Sequence, residues 1–415
     1  MSTMKNKYVT ESLMFLLYMA FGISWFAFSP VLPELRAYYH ISGKMGGSLS
    51  SVVSLAKTFV PILAGVLGAR FGIKITLAVG AGLSAFALLF PFAHTFTQLL
   101  FLRFLFGIGG AIIVTLMGAC VAEIFSKKEL PLVNAFNNVA VNTGITVSIF
   151  LTPVLLLVMS WKKAFLLYGF LNLLLLVLWL ILGAGGHSRP AGEKARDQAS
   201  LWDVLRMRET WLLGLAFTGP LSFYLALNTW LPSYYQEAHN FSRQAASGYT
   251  ALMNFAGIPV AVLGGFLASR LGVRRPLMIF PGIFMALSGL GMVLLTDPFF
   301  IKICALVLGS SFFLYVSPMF TLPVELPGMN PKKVGLLLGV VFSLAYSTSF
   351  FSPILVGWTK DAMGSYLPGL LICSLLSLFL SVGGYFLPET GPGRQRKILR
   401  PSPELCRSSS TCRVS

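Results

Sequence analysis

The sequence predicts an all-α polytopic membrane protein with about twelve transmembrane helices in two pseudo-symmetric six-helix bundles. The first reason is composition, because 56% of the 415 residues are hydrophobic and only 11% are charged. So few charged residues cannot cover a soluble globule of this length. The second reason is that apolar runs of about 20 residues, each able to cross a hydrocarbon core of about 30 Å, recur along the chain. The third is a ten-residue segment that occurs once in each half, which indicates a duplication.

Six apolar runs fall in each half of the chain. We place them at 11–33, 46–68, 75–94, 97–119, 133–158, 164–185, 210–232, 247–268, 276–295, 299–320, 335–357 and 367–387. The predicted units are an N-terminal bundle at 1–186, a polar cytoplasmic linker at 187–208, a C-terminal bundle at 209–388 and a basic tail at 389–415. The tail is rich in serine, and we predict it to be disordered.

The repeated segment joins the second span to the third and the eighth to the ninth. Its copies read Gly65-Val-Leu-Gly-Ala-Arg-Phe-Gly-Ile-Lys74 and Gly265-Phe-Leu-Ala-Ser-Arg-Leu-Gly-Val-Arg274. Glycines let helix backbones pack closely and slide past one another. We therefore expect a role in conformational change for Gly65, Arg70, Gly72, Lys74, Gly265, Arg270, Gly272 and Arg274.

The net charge of +17 is explained by the membrane rather than by a nucleic-acid partner. With the N-terminus in the cytoplasm, 22 of the 31 lysines and arginines fall on the cytoplasmic side and 7 on the opposite side. Cations in short loops stay cytoplasmic during insertion, so both termini are predicted to be cytoplasmic. The remaining two cations, Lys57 and Arg103, fall within apolar runs.

Lys57 is the strongest candidate for binding a charged solute. It lies about eleven residues, or roughly 16 Å by helical rise, from either end of its predicted span, near the bilayer midplane. An ammonium at that depth is costly unless it meets water or an anion. Ser50 and Ser54 lie on the same helical face and indicate a polar surface. The alternatives are a structural lysine bound to helix-end carbonyls and a position closer to a membrane interface.

Arg103 lies about six residues inside the fourth span, where either a substrate role or a structural pairing is open. Polar side chains at comparable depth are further candidates for a central binding site, although each could instead form a bond between helices. These candidates are Asn142, Asn228, Asn254, Tyr315 and Tyr346. No catalytic cluster, metal-ligand spacing or nucleotide motif is visible, so we expect neither enzymatic activity nor a cofactor or metal.

The two turn segments resemble the helix 2–3 and helix 8–9 motif of the major facilitator superfamily. Two further segments are similar to motifs of that superfamily, namely Arg103-Phe-Leu-Phe-Gly107-Ile-Gly109-Gly110-Ala111 in the fourth span and Pro388-Glu-Thr-Gly391 after the last. The resemblance implies the major facilitator fold and alternating access. The superfamily motif carries an acid where this chain has Ala69 and Ser269, which implies that its carboxylate latch is weakened or replaced here.

The position of Lys57, eleven residues before Gly68, resembles that of the anion-binding arginine of nitrate/nitrite porters. The equivalent position in the second half, 200 residues on, is Gly257, where those porters carry a second arginine. A single central cation fits a small monovalent anion, as in cyanate-type and monocarboxylate carriers.

The predicted function is secondary or facilitative transport of a small, monovalent, organic or inorganic anion across the cell membrane by a monomer. We expect all acids and histidines to lie at span ends or in loops, which favours exchange or uniport over proton symport. The alternatives are a proton-coupled symporter or efflux carrier of an apolar or zwitterionic metabolite or drug and, more remotely, a membrane-embedded enzyme or receptor.

Overall fold

The computed structural model describes residues 2–126, 129–184 and 200–391, and these are helical with no strand among them. In the N-terminal half the helices are α1 (Ser2–Phe26), α2 (Leu32–Tyr39), α3 (Gly43–Phe71), α4 (Ile73–Ser84), α5 (Phe96–Ile124), α6 (Leu130–Leu155) and α7 (Trp161–Leu182). Short 3-10 segments at Ser29–Val31 and Ala85–Phe92 follow α1 and α4. Lys127, Lys128 and most of the predicted linker and tail lie outside the described residues.

The C-terminal half repeats this pattern with more breaks. Its helices are α8 (Leu201–Leu205), α9 (Arg208–Ala238), α10 (Arg243–Leu271), α11 (Pro276–Leu294), α12 (Pro298–Leu314), α13 (Val316–Glu325), α14 (Pro331–Ser349), α15 (Phe351–Met363), α16 (Leu367–Leu376) and α17 (Leu378–Phe386). The pairs α12 and α13, α14 and α15, and α16 and α17 each continue one another, so this half also has six long segments.

The predicted fold class is confirmed. Ten helical segments of the described chain are long and apolar enough to cross a membrane, and an eleventh is α3, which bends by 53° between Gly43–Pro61 and Leu63–Phe71. The twelfth long segment is α10, with 29 residues. The first segment reaches Tyr39 rather than residue 33, because the Ser29–Val31 turn redirects the chain into α2 without ending it.

Local sequence signals set the helix ends around the repeated turns. The Ser42 hydroxyl accepts from the Met45 amide and begins α3, and Ser242 does the same for the Ala245 amide in α10. Both helices end just before the last glycine of the repeated segment, which is Gly72 with φ 88° or Gly272 with φ 60°. Positive φ favours glycine over other residues, which explains the sharp turn in each copy.

The two halves meet mainly along α3 with α14 and α15, and along α6 with α10. We call the end of the bundle with the loops at 40–42 and 364–366 the distal end, and the end with the Gly72 and Gly272 turns the terminal end. At the distal end the antiparallel α3 and α15 touch through small residues. A Cβ on Gly43 would lie 2.7 Å from the Gly357 carbonyl oxygen, and one on Gly47 would lie 2.2 Å from that of Pro353.

Polar contacts also join the halves at the distal end. Arg36 donates to the Tyr366 hydroxyl over 3.0 Å, and Tyr366 donates to Glu237 over 2.8 Å. Arg243 forms an ion pair with Glu34. Toward the terminal end the same helices diverge. The evidence is open space beside Gly65 of α3 and beside Gly335 and Gly339 of α14, where an added Cβ would find no heavy atom within 4 Å. The structure is therefore closed at the distal end and open at the terminal end.

Candidate functional site

Lys57 lies at the centre of α3, fourteen residues from Gly43 and fourteen from Phe71, and its side chain is 3% exposed. Four aromatic rings surround the ammonium. Their centroids lie 4.0 Å (Trp25), 5.1 Å (Phe21), 5.5 Å (Tyr346) and 5.6 Å (Tyr18) from Nζ. Its hydrogen bond to the Tyr18 hydroxyl is long, at 3.5 Å. In the described part of the chain, no carboxylate lies within ion-pair distance of Lys57.

Three of these rings come from one face of α1, since Tyr18, Phe21 and Trp25 are spaced three and four residues apart. Phe21 is fixed by stacking on Phe106 of α5 at a centroid distance of 4.6 Å. The sequence interpretation did not include Tyr18 or Phe21 among the site residues. Their helical spacing with Trp25, in a span next to that of Lys57, was the signal that could have indicated them.

Several buried donors around this centre lack a partner within the described residues. They are the Trp25 indole Nε1, the Ser54 hydroxyl and the Tyr315 hydroxyl. Ser54 lies one turn before Lys57, as its spacing predicted. Ser50, one turn further, instead bonds the Thr229 hydroxyl of the other half over 2.8 Å. Buried polar groups are normally paired, so the unpaired ones suggest that a ligand completes the site.

The predicted asparagines come together in a second cluster beside the first. Tyr224 of α9 contacts Asn142 Oδ1 of α6 at 2.9 Å and also donates to Asn254 Oδ1 of α10. Asn254 donates in turn to Asn228 Oδ1 over 2.6 Å. Tyr224 stacks on Phe312 with centroids 4.3 Å apart. The cluster therefore joins the two halves, and Tyr224 is a member that the sequence interpretation did not single out.

Arg103 is fully buried and bound to backbone. Its Nε donates to the Leu49 carbonyl over 2.6 Å and its Nη2 to the Trp25 carbonyl over 2.8 Å. The guanidinium also lies over the Phe28 ring, 4.5 Å from its centroid. Trp25 thus connects the two buried cations, since its carbonyl binds Arg103 and its ring contacts Lys57. This arrangement suits a positioning role for Arg103 rather than direct contact with a solute.

The two copies of the repeated turn differ in their contacts. In the second copy, Arg274 forms a bidentate ion pair with Glu325. Nη2 lies 2.7 Å from Oε1, and Nε lies 3.0 Å from Oε2. Glu389 accepts from the backbone amides of Arg274 and Arg275, and Thr390 donates to Glu325. These contacts join the turn to the segment after α17.

In the first copy, Trp179 donates to the Lys74 carbonyl over 3.1 Å. Four of the other predicted turn residues, two arginines and two glycines, lie toward open space. Arg70 and Arg270 are exposed and lie over the Phe71 and Phe266 rings respectively. An added Cβ would meet nothing within 4 Å at Gly65 and only the Ser317 hydroxyl, at 3.9 Å, at Gly265. The close packing expected there is absent in this conformation.

Glu11 lies at a span end, as expected of the acids, but it is buried inside the protein. It is near the start of the first span, but its side chain is only 7% exposed. The hydropathy of the sequence could not show this, because burial comes from the packing of α1 against α6. Glu11 lies seven residues, or two helical turns, before Tyr18 on the same face of α1.

The described chain forms twelve helical segments in two halves, which meet at one end and enclose a buried cation. These features define the class of a secondary transporter. The Major Facilitator Superfamily model matches residues 14–353, and the chain belongs to this superfamily. It is a multi-pass membrane transporter and not an enzyme.

Relatives and solved structures agree. The chain is 27% identical over 304 residues to the uncharacterized protein Cj0987c of Campylobacter jejuni, covering 72% of this chain and 94% of that protein. It is 24% identical to the hexuronate transporter of Bacillus subtilis, covering 86% and 88%, and 23% identical to the nitrite extrusion protein of the same species, covering 90% and 92%. The crystal structure of a D-xylose-proton symporter superposes with a TM-score of 0.72 at 15% identity, covering 92% and 98%.

Proposed function

We propose that the protein carries a small monovalent anion by alternating access, with Lys57 binding the charge. The observation that carries the proposal is the ammonium of Lys57, which is buried at the centre of α3 with no anionic partner among the described residues. An isolated buried charge is costly and marks a solute pathway in membrane proteins. Tyr346 of the C-terminal half covers the ammonium, so separation of the halves would uncover the site.

Two relatives support an anionic substrate, because the names of the hexuronate transporter and the nitrite extrusion protein are those of anion carriers. At 24% and 23% identity they support only the charge of the substrate. The charge distribution of the loops supports a cytoplasmic terminal end, so the conformation described here would be open to the cytoplasm. The N- and C-terminal bundles would then be the two bodies that move, in the cell membrane and as a monomer.

Exchange or uniport is the mode we propose, because no carboxylate that could take up and release a proton lies beside Lys57 among the described residues. Proton-coupled transport is the second candidate, and the buried carboxylate of Glu11 favours it. A carboxyl group that is buried from solvent could bind a proton on one side of the membrane and release it on the other during transport.

The test is uptake into proteoliposomes of labelled nitrate, acetate and benzoate, each supplied separately at pH 8. Lys57→Ala should reduce uptake of the transported anion at least about tenfold, since charge-assisted contacts are worth about 1.5–3 kcal/mol. Lys57→Arg should retain part of the activity with altered selectivity, because a planar fork replaces a point charge. Lys302→Ala is the matched control, because Lys302 is exposed on α12. Unchanged uptake by Lys57→Ala would contradict the proposal.

A further inference from the structure

The two halves contribute unequally to the centre of the protein. The position of the second half that corresponds to Lys57 is Gly257, and the ring of Phe313 fills the space beside it. A Cβ on Gly257 would lie 1.9 Å from the Phe313 ring carbon Cδ2. No side chain fits there unless Phe313 moves. The C-terminal half therefore presents an aromatic surface where a symmetric site would present a second cation.

Further aromatic side chains of the same half lie on or next to α12 and on α14. Phe312 lies edge-on to Phe313 and Tyr315, with centroids 5.3 and 5.6 Å apart. Tyr346 is the ring of this half that reaches Lys57. All four side chains come from the C-terminal half, so we call Phe312, Phe313, Tyr315 and Tyr346 the aromatic wall.

The N-terminal half supplies hydrogen-bond donors beside Lys57. Within the described chain, the Trp25 indole N–H has no hydrogen-bond partner, although the residue is only 4% exposed, and the ring centroid is 4.0 Å from Lys57 Nζ. The Ser54 hydroxyl is fully buried and likewise has no partner there. One full positive charge and two neutral donors suit the oxygen atoms of one carboxylate.

We propose that the substrate is a monocarboxylate with a planar apolar body, an inference that rests on the proposed function of Lys57. The carboxylate accepts from Lys57 Nζ and Trp25 Nε1, and the body packs against the aromatic wall. A dianion would place its second charge against rings that offer no cation. A small inorganic anion would leave the wall without contact and lose the apolar contribution to binding.

Benzoate is the simplest probe of this chemistry. We would measure its binding to the purified full-length chain by calorimetry at pH 8, beside acetate, nitrate, phthalate and the uncharged benzamide. Benzoate should bind at least about tenfold more tightly than acetate or nitrate, and phthalate and benzamide should show no measurable binding.

Two variants test separately the contacts of the carboxylate and of the apolar body of benzoate. Trp25→Phe keeps a ring beside Lys57 but removes the N–H, and should weaken benzoate about tenfold. Trp202→Phe is the matched control, because Trp202 is 70% exposed on α8. Tyr346→Ala should bring the benzoate affinity down to that of acetate while leaving acetate unchanged. Melting curves of each variant with and without benzoate distinguish lost binding from lost folding.

The outcomes distinguish this inference from the proposed function. Binding of nitrate as tight as that of benzoate, and dependent on Lys57, overturns the monocarboxylate assignment. Equally tight binding of acetate overturns the planar apolar body. Both results leave anion transport intact. Tighter binding of phthalate than of benzoate overturns it in the same way. Binding of benzoate that is unchanged in Lys57→Met overturns both.

Discussion

Asp361 of the C-terminal half caps the first turn of α3 in the N-terminal half, with its Oδ1 2.6 Å from the Gly43 amide nitrogen. Its Oδ2 lies 2.7 Å from the amide nitrogen of Lys44. The first amides of a helix have no partner inside the helix, and they carry partial positive charge. A carboxylate from one half thus completes a helix of the other, and this contact exists only while the distal end is closed.

Removal of this cap should favour opening of the distal end. We expect Asp361→Ala to cost the closed state about 1 kcal/mol, so that the open population rises about fivefold. The measurement is the labelling rate of Ser50→Cys, in a background without other cysteines, by an impermeant thiol reagent applied from the distal side. Asp297→Ala is the matched control, because Asp297 caps α12 through the Phe299 amide within one half. Equal labelling rates in the two variants would contradict a gating role for Asp361.

At the opposite ends of the same helix pair, Asn330 caps α14 from within its own half, and no cap from the other half is present among the described residues. Contacts of Gly43 with Gly357 and of Gly47 with Pro353 set an antiparallel register for α3 and α14–α15. Continued toward the terminal end, this register places Ala69 opposite the start of α14 at Pro331. Ala69 is exposed in the present conformation. Closure of the terminal end would bring it to a helix N-terminus that an alanine cannot cap.

Ala69→Asp should therefore stabilise the state that is closed at the terminal end, by about 0.3–1 kcal/mol. Labelling of Ser50→Cys from the distal side should become faster, because closure at one end accompanies opening at the other. Ala69→Asn tests the contribution of charge, and should produce a smaller change. An unchanged labelling rate in Ala69→Asp would show that position 69 does not meet α14.

Arg103→Lys should destabilise the protein through Trp25 and Leu49. A lysine cannot bind two carbonyls with the geometry of a guanidinium, and loss of one charged hydrogen bond should cost about 1.5–3 kcal/mol. We expect a lower apparent melting temperature in detergent and a weaker affinity for the transported anion. Arg206→Lys, a change at an exposed arginine outside the repeated turns, should alter neither. Lost uptake at an unchanged melting temperature would instead indicate that Arg103 contacts the substrate directly.

Coupling can be tested by imposing a pH gradient on proteoliposomes. For exchange or uniport, an inward proton gradient should change uptake little beyond its effect on protonation of the substrate. Accumulation that collapses with a protonophore would show proton symport. Glu11→Gln, which cannot carry a proton, should then abolish accumulation and retain exchange, whereas Glu209→Gln on the first turn of α9 should change neither.

The sequence alone was sufficient to predict the twelve segments, the repeated turns and the central position of Lys57 in its helix. These features depend on local properties, namely the length of apolar runs, the positive φ that favours Gly72 and Gly272, and the cost of a charge far from water. These properties belong to each segment by itself and do not depend on its packing against other helices. The prediction of α3 was accurate to three residues at each end, since it was placed at 46–68 and spans Gly43–Phe71.

Tertiary structure decided which groups surround Lys57 and which contacts hold the halves together. Trp25 and Tyr346 are 321 positions apart in the chain, and only helix packing brings both rings to the ammonium. The sequence context of Arg103 is the same as that of Lys57, because each is a single cation within an apolar run. In the folded protein Arg103 binds two backbone carbonyls, whereas Lys57 lies against aromatic rings. The partners of a buried cation are the groups that neighbouring helices place beside it, and these depend on helix packing.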